Sequence, residues 1–296
     1  MADGVRCVAP VGDKCGEAAT WCAEERALYW CDVNRFLVHR MGPDEAVKTW
    51  FFGEPVTALS LTDRPGELIV ALGSHIILWR PEDDRRRDFG FALPGAPRAR
   101  LNDGRAAPNG DFWIGSMGNN VGPDGEPTHE EAGLGVLYRF RPGAAPSVEK
   151  SDLGISNTLC WSPDRRTFYF GDTMRNLIWA YDYDPDTGAI GAERPFFQGF
   201  DRGHPDGSAT DAQGCLWNCR FAGGCVVRVT PDGRIDRVVE VPARNVTTCC
   251  FGGDDLRTLY ITTAAMRTDE SDRLAGSLFA LRTDAPGLDG FRARLS

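Results

Sequence analysis

The sequence is short of lysine and histidine, and it has no long apolar run. Only three of its basic residues are lysines, and it has four histidines. No apolar run approaches the ~18 residues needed to span a bilayer. The N-terminus also lacks the basic start and apolar stretch of a secretory signal. We therefore expect a protein that is not inserted in a membrane and that lies in the cytoplasm.

Positive charge is also in deficit. The chain has 33 Lys and Arg residues against 42 Asp and Glu residues, which gives a net charge of −9. The phosphates of nucleic acids and of anionic lipids would be repelled by such a surface. We expect neither as a partner, and an acidic surface is compatible with a soluble enzyme acting on a neutral or cationic small molecule. The oligomeric state is left open.

Several common catalytic and metal-binding motifs are missing. There is no GxSxG, no phosphate-binding glycine loop, and "HEEAG" (129–133) lacks the second histidine of a zinc-protease motif. The segment "DYDPDTGAIGAE" (182–193) spaces its acids like a calcium loop, but its glycine is one position late. It is better interpreted as a hairpin turn. The ten cysteines have no paired CxxC spacing, so we expect reduced thiols that are mostly buried as small apolar side chains.

What the sequence does contain is a repeat. Six similar units begin near residues 18, 58, 104, 158, 207 and 247. Each has a small-residue strand, a turn rich in Asp, Gly or Pro, and a strand rich in aromatic and β-branched residues. No long stretch has a helical period. A spacing of roughly 40–50 residues is typical of four-stranded propeller blades. We predict an all-β fold, a six-bladed β-propeller in which residues 1–296 form a single domain.

Two segments are longer than a hairpin needs. They are "GNNVGPDGEPTHEEAGL" (118–134) and "AMRTDESDRLA" (265–275). Loops of this length in a compact domain are usually functional or mobile. Either could form a rim or lid over one end of the propeller.

Oxygen-bearing side chains recur at one phase of the repeat. The first strand of each propeller blade lines the central channel, so equivalent positions converge in space. Glu17, Asn157 and Asp206 fall at or just before the starts of three units. Their carboxylate and amide oxygens suit a divalent cation. The alternative, that each residue only forms a turn, stays open at this point.

Arg100 and Asn102 lie at the same phase in "RARLNDGRA" (98–106). Residues two apart on a strand face the same side, so this cation and amide could together grip ligand oxygens. We expect Asp103 and Gly104 to shape the turn that aims them.

Five motifs carry a family resemblance: "CGEAATW", "RLNDGRAAPNGDFWIGSM", "SNTLCWSPDRRTFYFGDT", "HPDGSATDAQGCLW" and "TTCCFGGDDLRTLYITTA". Together they resemble the regucalcin/gluconolactonase family, also called the senescence marker protein family, from about residue 7 to the C-terminus. The resemblance implies a six-bladed propeller and a metal-dependent lactonase that opens sugar lactones. It also implies that Glu17, Asn157 and Asp206 bind the metal and that Arg100 and Asn102 contact the substrate.

The chain departs from the family pattern at two places. Many members carry a substrate-facing Glu shortly after "GTM", whereas "GSMGNN" places Asn119 and Asn120 there. Asn120 can still bind a sugar hydroxyl, but without charge. "SNTL" replaces the common "SNGL", which should alter packing beside Asn157 more than metal binding.

These observations predict hydrolysis of an aldonolactone to its aldonic acid in carbohydrate catabolism. Asp206 would be the general base, and the cation would act as a Lewis acid. Calcium, zinc, magnesium, manganese and ferrous iron all remain candidates, as do several sugar lactones. Three other functions stay open: an aryl esterase or organophosphatase, a calcium-binding regulatory protein without catalysis, and a platform for protein interactions.

Overall fold

The computed structural model describes residues 4–295, which form 24 β-strands. The strands are β1 (Arg6–Ala9), β2 (Gly16–Cys22), β3 (Ala27–Asp32), β4 (Leu37–Met41), β5 (Val47–Phe51), β6 (Val56–Leu61), β7 (Leu68–Leu72), β8 (His75–Arg80), β9 (Arg85–Ala92), β10 (Ala99–Ala106), β11 (Phe112–Gly118), β12 (Gly135–Phe140), β13 (Ser147–Leu153), β14 (Ser156–Trp161), β15 (Thr167–Asp172), β16 (Leu177–Tyr183), β17 (Ile190–Gln198), β18 (His204–Thr210), β19 (Leu216–Phe221), β20 (Cys225–Val229), β21 (Ile235–Glu240), β22 (Asn245–Gly252), β23 (Thr258–Ala264) and β24 (Leu278–Arg282). Within these residues no helix is long and apolar enough to cross a membrane.

The strands form six antiparallel sheets of four strands each. Five sheets are consecutive in the chain: β2–β5, β6–β9, β10–β13, β14–β17 and β18–β21. The sixth consists of β22, β23, β24 and, on its outer edge, β1. The first strands of successive sheets contact one another in a closed circle from β2 to β22 and back to β2. This is a six-bladed β-propeller, as the repeat predicted.

The strands near the propeller axis are more buried than the strands at the outer edge of each blade. The inner strands β3, β7 and β14 are buried along their whole length, whereas the outermost strands β9 and β17 are largely exposed. Aromatic side chains fill the space between blades. Trp79 packs edge-on against Tyr29 and Trp50 of the neighbouring blade. Burial of a large aromatic side chain contributes about 2–3 kcal/mol, so these contacts fix adjacent blades.

Two local predictions can be compared with the fold. The segment 182–193 joins β16 to β17 as a hairpin, and Asp184 Oδ1 accepts a 2.9 Å hydrogen bond from Asp186 N in its turn. All ten cysteines are free thiols, and eight of them are buried. Both predictions are confirmed.

Candidate functional site

Each of the six innermost strands has a β-bulge at the same phase. The shifts in register fall between Glu17 and Thr20, Val56 and Ala58, Leu101 and Gly104, Asn157 and Cys160, Pro205 and Ser208, and Val246 and Cys249. A bulge bends a strand and redirects a side chain. Glu17, Asn157 and Asp206 each lie at such a bulge. The position in the repeat at which these polar residues occur is therefore the position of a β-bulge in every blade.

The residue after each of the three predicted cation ligands is constrained, either by its backbone conformation or by close packing. Ala18 and Thr158, the residues after Glu17 and Asn157, have φ of 57° and 56°, in the left-handed region. Gly207, which follows Asp206, packs against the next blade so closely that a Cβ there would lie 1.9 Å from Thr248 Oγ1. These constraints hold the three preceding side chains at the channel mouth.

Glu17 and Asp206 form a crowded pair of carboxylates, in which Asp206 is buried and Glu17 is half-buried. Burial and, after it, the charge of Asp103 together raise the pKa of Glu17 to about 8. Burial also raises the pKa of Asp206 well above its usual range, and Glu17 and then Asp103 add to this effect. Like charges at close range disfavour ionisation of both groups. A cation placed between them would relieve the repulsion.

Asp103 is a third carboxylate near this pair, and the sequence interpretation of it was wrong. It lies inside β10 rather than in a turn, and only 7% of it is exposed. Its Oδ2 is buried without a hydrogen-bond partner among the described residues. Burial raises its pKa, while the Arg105 guanidinium opposes that rise. Asp103 therefore adds negative potential beneath the site.

Asn157 presents an amide oxygen whose orientation is fixed by its neighbours. The Thr173 hydroxyl donates a 2.8 Å hydrogen bond to the carbonyl oxygen of Pro205, so it accepts from Asn157 Nδ2, also at 2.8 Å. Asn157 Oδ1 must then point the other way. There it accepts a 3.2 Å hydrogen bond from Asn102 Nδ2.

Arg100 is clamped by two asparagine side chains. Its Nη1 donates to Asn102 Oδ1 at 2.6 Å, and its Nε donates to Asn120 Oδ1 at 2.9 Å. Asn102 Nδ2 also donates to the carbonyl oxygen of Ser156 at 2.9 Å. Asn102 thus links Arg100 to Asn157 in the next blade. Within residues 4–295, Arg100 Nη2 and Asn120 Nδ2 make no hydrogen bond, so these two donors face a ligand without competition.

The two long inserts lie over this end of the propeller and meet each other. Arg267 Nη2, in the second insert, donates to the carbonyl oxygen of Thr128 in the first, at 3.0 Å. Lys14 Nζ donates to Glu126 at 2.7 Å, and Asn34 Nδ2 donates to the carbonyl oxygen of Gly125 at 2.8 Å. The first insert therefore crosses from the third blade to the first. Together the inserts form a rim, as the sequence predicted.

A surface groove of about 420 Å³ borders the site. It is lined by Phe36, Pro55, Pro97, Arg100, Asn119 and Val121, among others. A smaller enclosed cavity, of about 80 Å³, lies in the other half of the channel beneath residues 288–291 and includes Arg105 in its wall. Of the predicted site residues, Arg100 lies in the wall of the groove, next to Asn119.

Among the described residues there is no group of three or more His, Cys, Asp or Glu side chains arranged to hold a metal. A cation at the channel mouth would therefore need Asn157 as a third ligand beside Glu17 and Asp206. These hard oxygen donors, with their excess negative charge, fit a divalent cation.

A model of the SMP-30/gluconolactonase/LRE-like region matches residues 15–265. The chain belongs to this family. It is 34% identical to a 6-deoxy-6-sulfogluconolactonase of Pseudomonas putida over 97% of each chain, and 32% identical to a pentonolactonase of Haloferax volcanii over 94% of each.

The fold of the SMP-30/gluconolactonase family is also found in solved structures. A calcium-binding protein, regucalcin, from Agrobacterium tumefaciens is 26% identical and superposes with a TM-score of 0.90, covering 98% of this chain and 97% of its own. The six-bladed architecture is therefore shared over the whole described chain.

Proposed function

We propose that this protein hydrolyses an aldonolactone to the corresponding aldonic acid with the help of one divalent cation. The observation that carries this proposal is the meeting of two crowded carboxylates, an oriented amide oxygen and a clamped arginine at one channel mouth. The lactonase names of its relatives give the chemistry that such a site supports.

We assign Glu17, Asn157 and Asp206 as the cation ligands. The burial and mutual repulsion of the two carboxylates support this, because a cation would lower the cost of keeping both ionised. When bound, the cation would supply Lewis acidity toward the lactone carbonyl. Its identity stays open among calcium, zinc, magnesium, manganese and ferrous iron, although the regucalcin relative is described as calcium-binding.

The side chains of this chain account for the remaining steps. Asp206 takes a proton from the water that attacks the carbonyl carbon. The ring C–O bond then breaks, and the ring oxygen accepts the proton and leaves as a hydroxyl. Arg100, through Nη2, binds oxygens of the substrate and stabilises negative charge that develops in the transition state. Asn102 keeps Arg100 and Asn157 in register.

Asn120 takes a more specific role than the sequence suggested. Its Oδ1 is engaged by Arg100 Nε, so only its Nδ2 is available to a sugar hydroxyl. It therefore combines positioning of the arginine with substrate binding. The hydrogen-bonding groups of Arg100 and Asn120 match the hydroxyl groups of a sugar lactone, which aryl esters and organophosphates lack, and this favours sugar lactones.

The proposal is tested by a pH-stat assay of pentono- and hexonolactones with Asp206→Asn. We expect a loss of about 10²–10⁴-fold in kcat, the usual contribution of a general base. Asp186→Asn is the matched control, because Asp186 lies in the exposed β16–β17 turn. Circular dichroism and the urea midpoint would check folding. Full activity of a folded Asp206→Asn variant would remove Asp206 from the mechanism, and no turnover of any lactone by the wild type would refute the function.

A further inference from the structure

Glu130 differs from the other acidic residues of the first insert. Its side chain is only 17% exposed, compared with 56% for Glu131 and 71% for Glu126. A glutamate is rarely withdrawn from water in a surface loop unless it is paired. Its one ion pair is weak, since Arg267 Nη2 lies 3.3 Å from Oε2 and Arg267 is itself half exposed.

The backbone on both sides holds Glu130 against the predicted site. Thr128 N donates a 2.8 Å hydrogen bond to the carbonyl oxygen of Asn120. On the other side, the backbone of Glu131 packs against Gly118 so tightly that a Cβ at Gly118 would lie 2.2 Å from Glu131 O. Glu130 is thus fixed alongside the segment that carries Asn120.

The carboxylate of Glu130 also acts on Arg100. Burial lowers the pKa of Arg100, and the charge of Glu130 is one of those that oppose this effect, together with Glu17 and Asp206. Such an influence requires proximity in a desolvated setting. Within residues 4–295, Glu130 Oε1 makes no hydrogen bond, so one oxygen of this carboxylate remains available as an acceptor.

We propose that Glu130 determines substrate specificity by accepting a hydrogen bond from a hydroxyl group on the carbon chain of the lactone. This inference rests on the proposed lactonase function and names a residue for it. Arg100 Nη2 and Asn120 Nδ2 are donors, whereas a sugar hydroxyl also needs an acceptor for its own proton. Asn119 and Asn120 carry no charge, so we assign the acceptor to Glu130, whose Oε1 has no partner among residues 4–295.

The test compares Glu130→Gln with Glu131→Gln, a neighbour in the same insert that carries the same charge and is paired with Arg98 at 2.7 Å. Each variant is assayed on an aldonolactone and on an unsubstituted lactone of the same ring size. A hydrogen bond to a charged group is worth about 10-fold or more in binding. We expect Glu130→Gln to lower kcat/KM about 10-fold for the aldonolactone and less than about twofold for the unsubstituted lactone. Glu131→Gln should leave both unchanged.

A second readout separates this inference from the lactonase proposal. The dissociation constant of a non-hydrolysable alditol should rise about 10-fold in Glu130→Gln and stay constant in Glu131→Gln. Equal alditol binding by the wild type and Glu130→Gln, or an equal loss on both lactones, would overturn the role of Glu130. Weakened alditol binding in a protein that hydrolyses no lactone would support that role and refute the reaction instead.

Discussion

Thr158 offers a sharp test of how the blades hold the site. It has φ of 56°, which is costly for a β-branched residue. Its hydroxyl donates to the carbonyl oxygen of Asp206 and lies 3.0 Å from Ser208 Oγ. The family pattern commonly has glycine at this position. We therefore expect the hydrogen bonds of the Thr158 hydroxyl to offset the energetic cost of its left-handed backbone conformation.

The magnitudes follow from these contacts in a series of three variants. Thr158→Ser keeps the hydroxyl and should change the free energy of unfolding by less than about 0.5 kcal/mol. Thr158→Ala removes it, but Asn218 Nδ2 still donates to both former partners, at 3.3 and 2.9 Å. The expected loss is therefore about 1–1.5 kcal/mol rather than the penalty of an unsatisfied group.

Thr158→Gly lacks the same hydroxyl but relieves the left-handed strain. That relief is worth about 1–2 kcal/mol, offset by about 0.5–1 kcal/mol of extra chain entropy in the unfolded state. Glycine should therefore be about 0.5–1 kcal/mol more stable than alanine at this position. Both variants should lose about 10-fold in kcat, because Asp206 is held less firmly.

Urea unfolding with the m-value compared across the series gives the stabilities, and the lactone assay gives kcat. An alanine variant as stable as the glycine variant would show that the left-handed backbone is not strained. Wild-type kcat in Thr158→Gly would show that the hydroxyl does not position Asp206.

Three further outcomes are expected. Ala18→Gly, at φ of 57°, should raise the free energy of unfolding by about 0.5–1 kcal/mol in the same urea assay, and an unchanged midpoint would contradict this. Gly207→Ala should cost about 3 kcal/mol, because the added Cβ collides with Thr248, and a wild-type melting temperature would refute that packing. Native protein should label at no more than two thiols, Cys7 and Cys15, in a DTNB assay at pH 8. Of these, Cys15 should react slowly because burial and the charge of Glu17 raise its pKa; fast labelling of three or more thiols would contradict the burial.

The propeller could be predicted because its blades repeat in the sequence, but its closure could not. The last unit supplies only three strands, and the fourth is β1, where Arg6 pairs with Ala280. A four-residue strand carries little periodic signal, and its partner lies at the other end of the chain. Each of the other blades is formed by consecutive strands, whereas closure of the ring depends on pairing between strands from opposite ends of the chain.

The position of Glu17, Asn157 and Asp206 in the repeat predicted that they lie near one another, because equivalent bulges face the same axis. It could not tell which atoms are engaged. The amide of Asn157 is oriented by Thr173, and that of Asn120 is turned toward Arg100. Such orientations depend on hydrogen bonds between side chains 16 and 20 residues apart in the chain, which the spacing of the repeat does not encode.

The positions of two acidic residues could not be predicted from the sequence pattern. Asp103 precedes a glycine and was interpreted as part of a turn, but the pair lies in the β10 bulge. Glu130 lies in an insert without periodicity, so nothing in the sequence placed it beside Arg100. Its burial depends on how Gly118 and Asn120 hold the insert against the rim.

The central claim is that Glu17, Asn157 and Asp206 hold one cation that lactone hydrolysis requires. The most direct measurement titrates chelated protein with a divalent metal while following aldonolactone hydrolysis. We predict negligible enzymatic rate without metal, a plateau at one equivalent per chain, and a shift to higher metal concentration in Glu17→Gln. Chelated protein that hydrolyses the lactone as fast as metal-loaded protein would contradict the account.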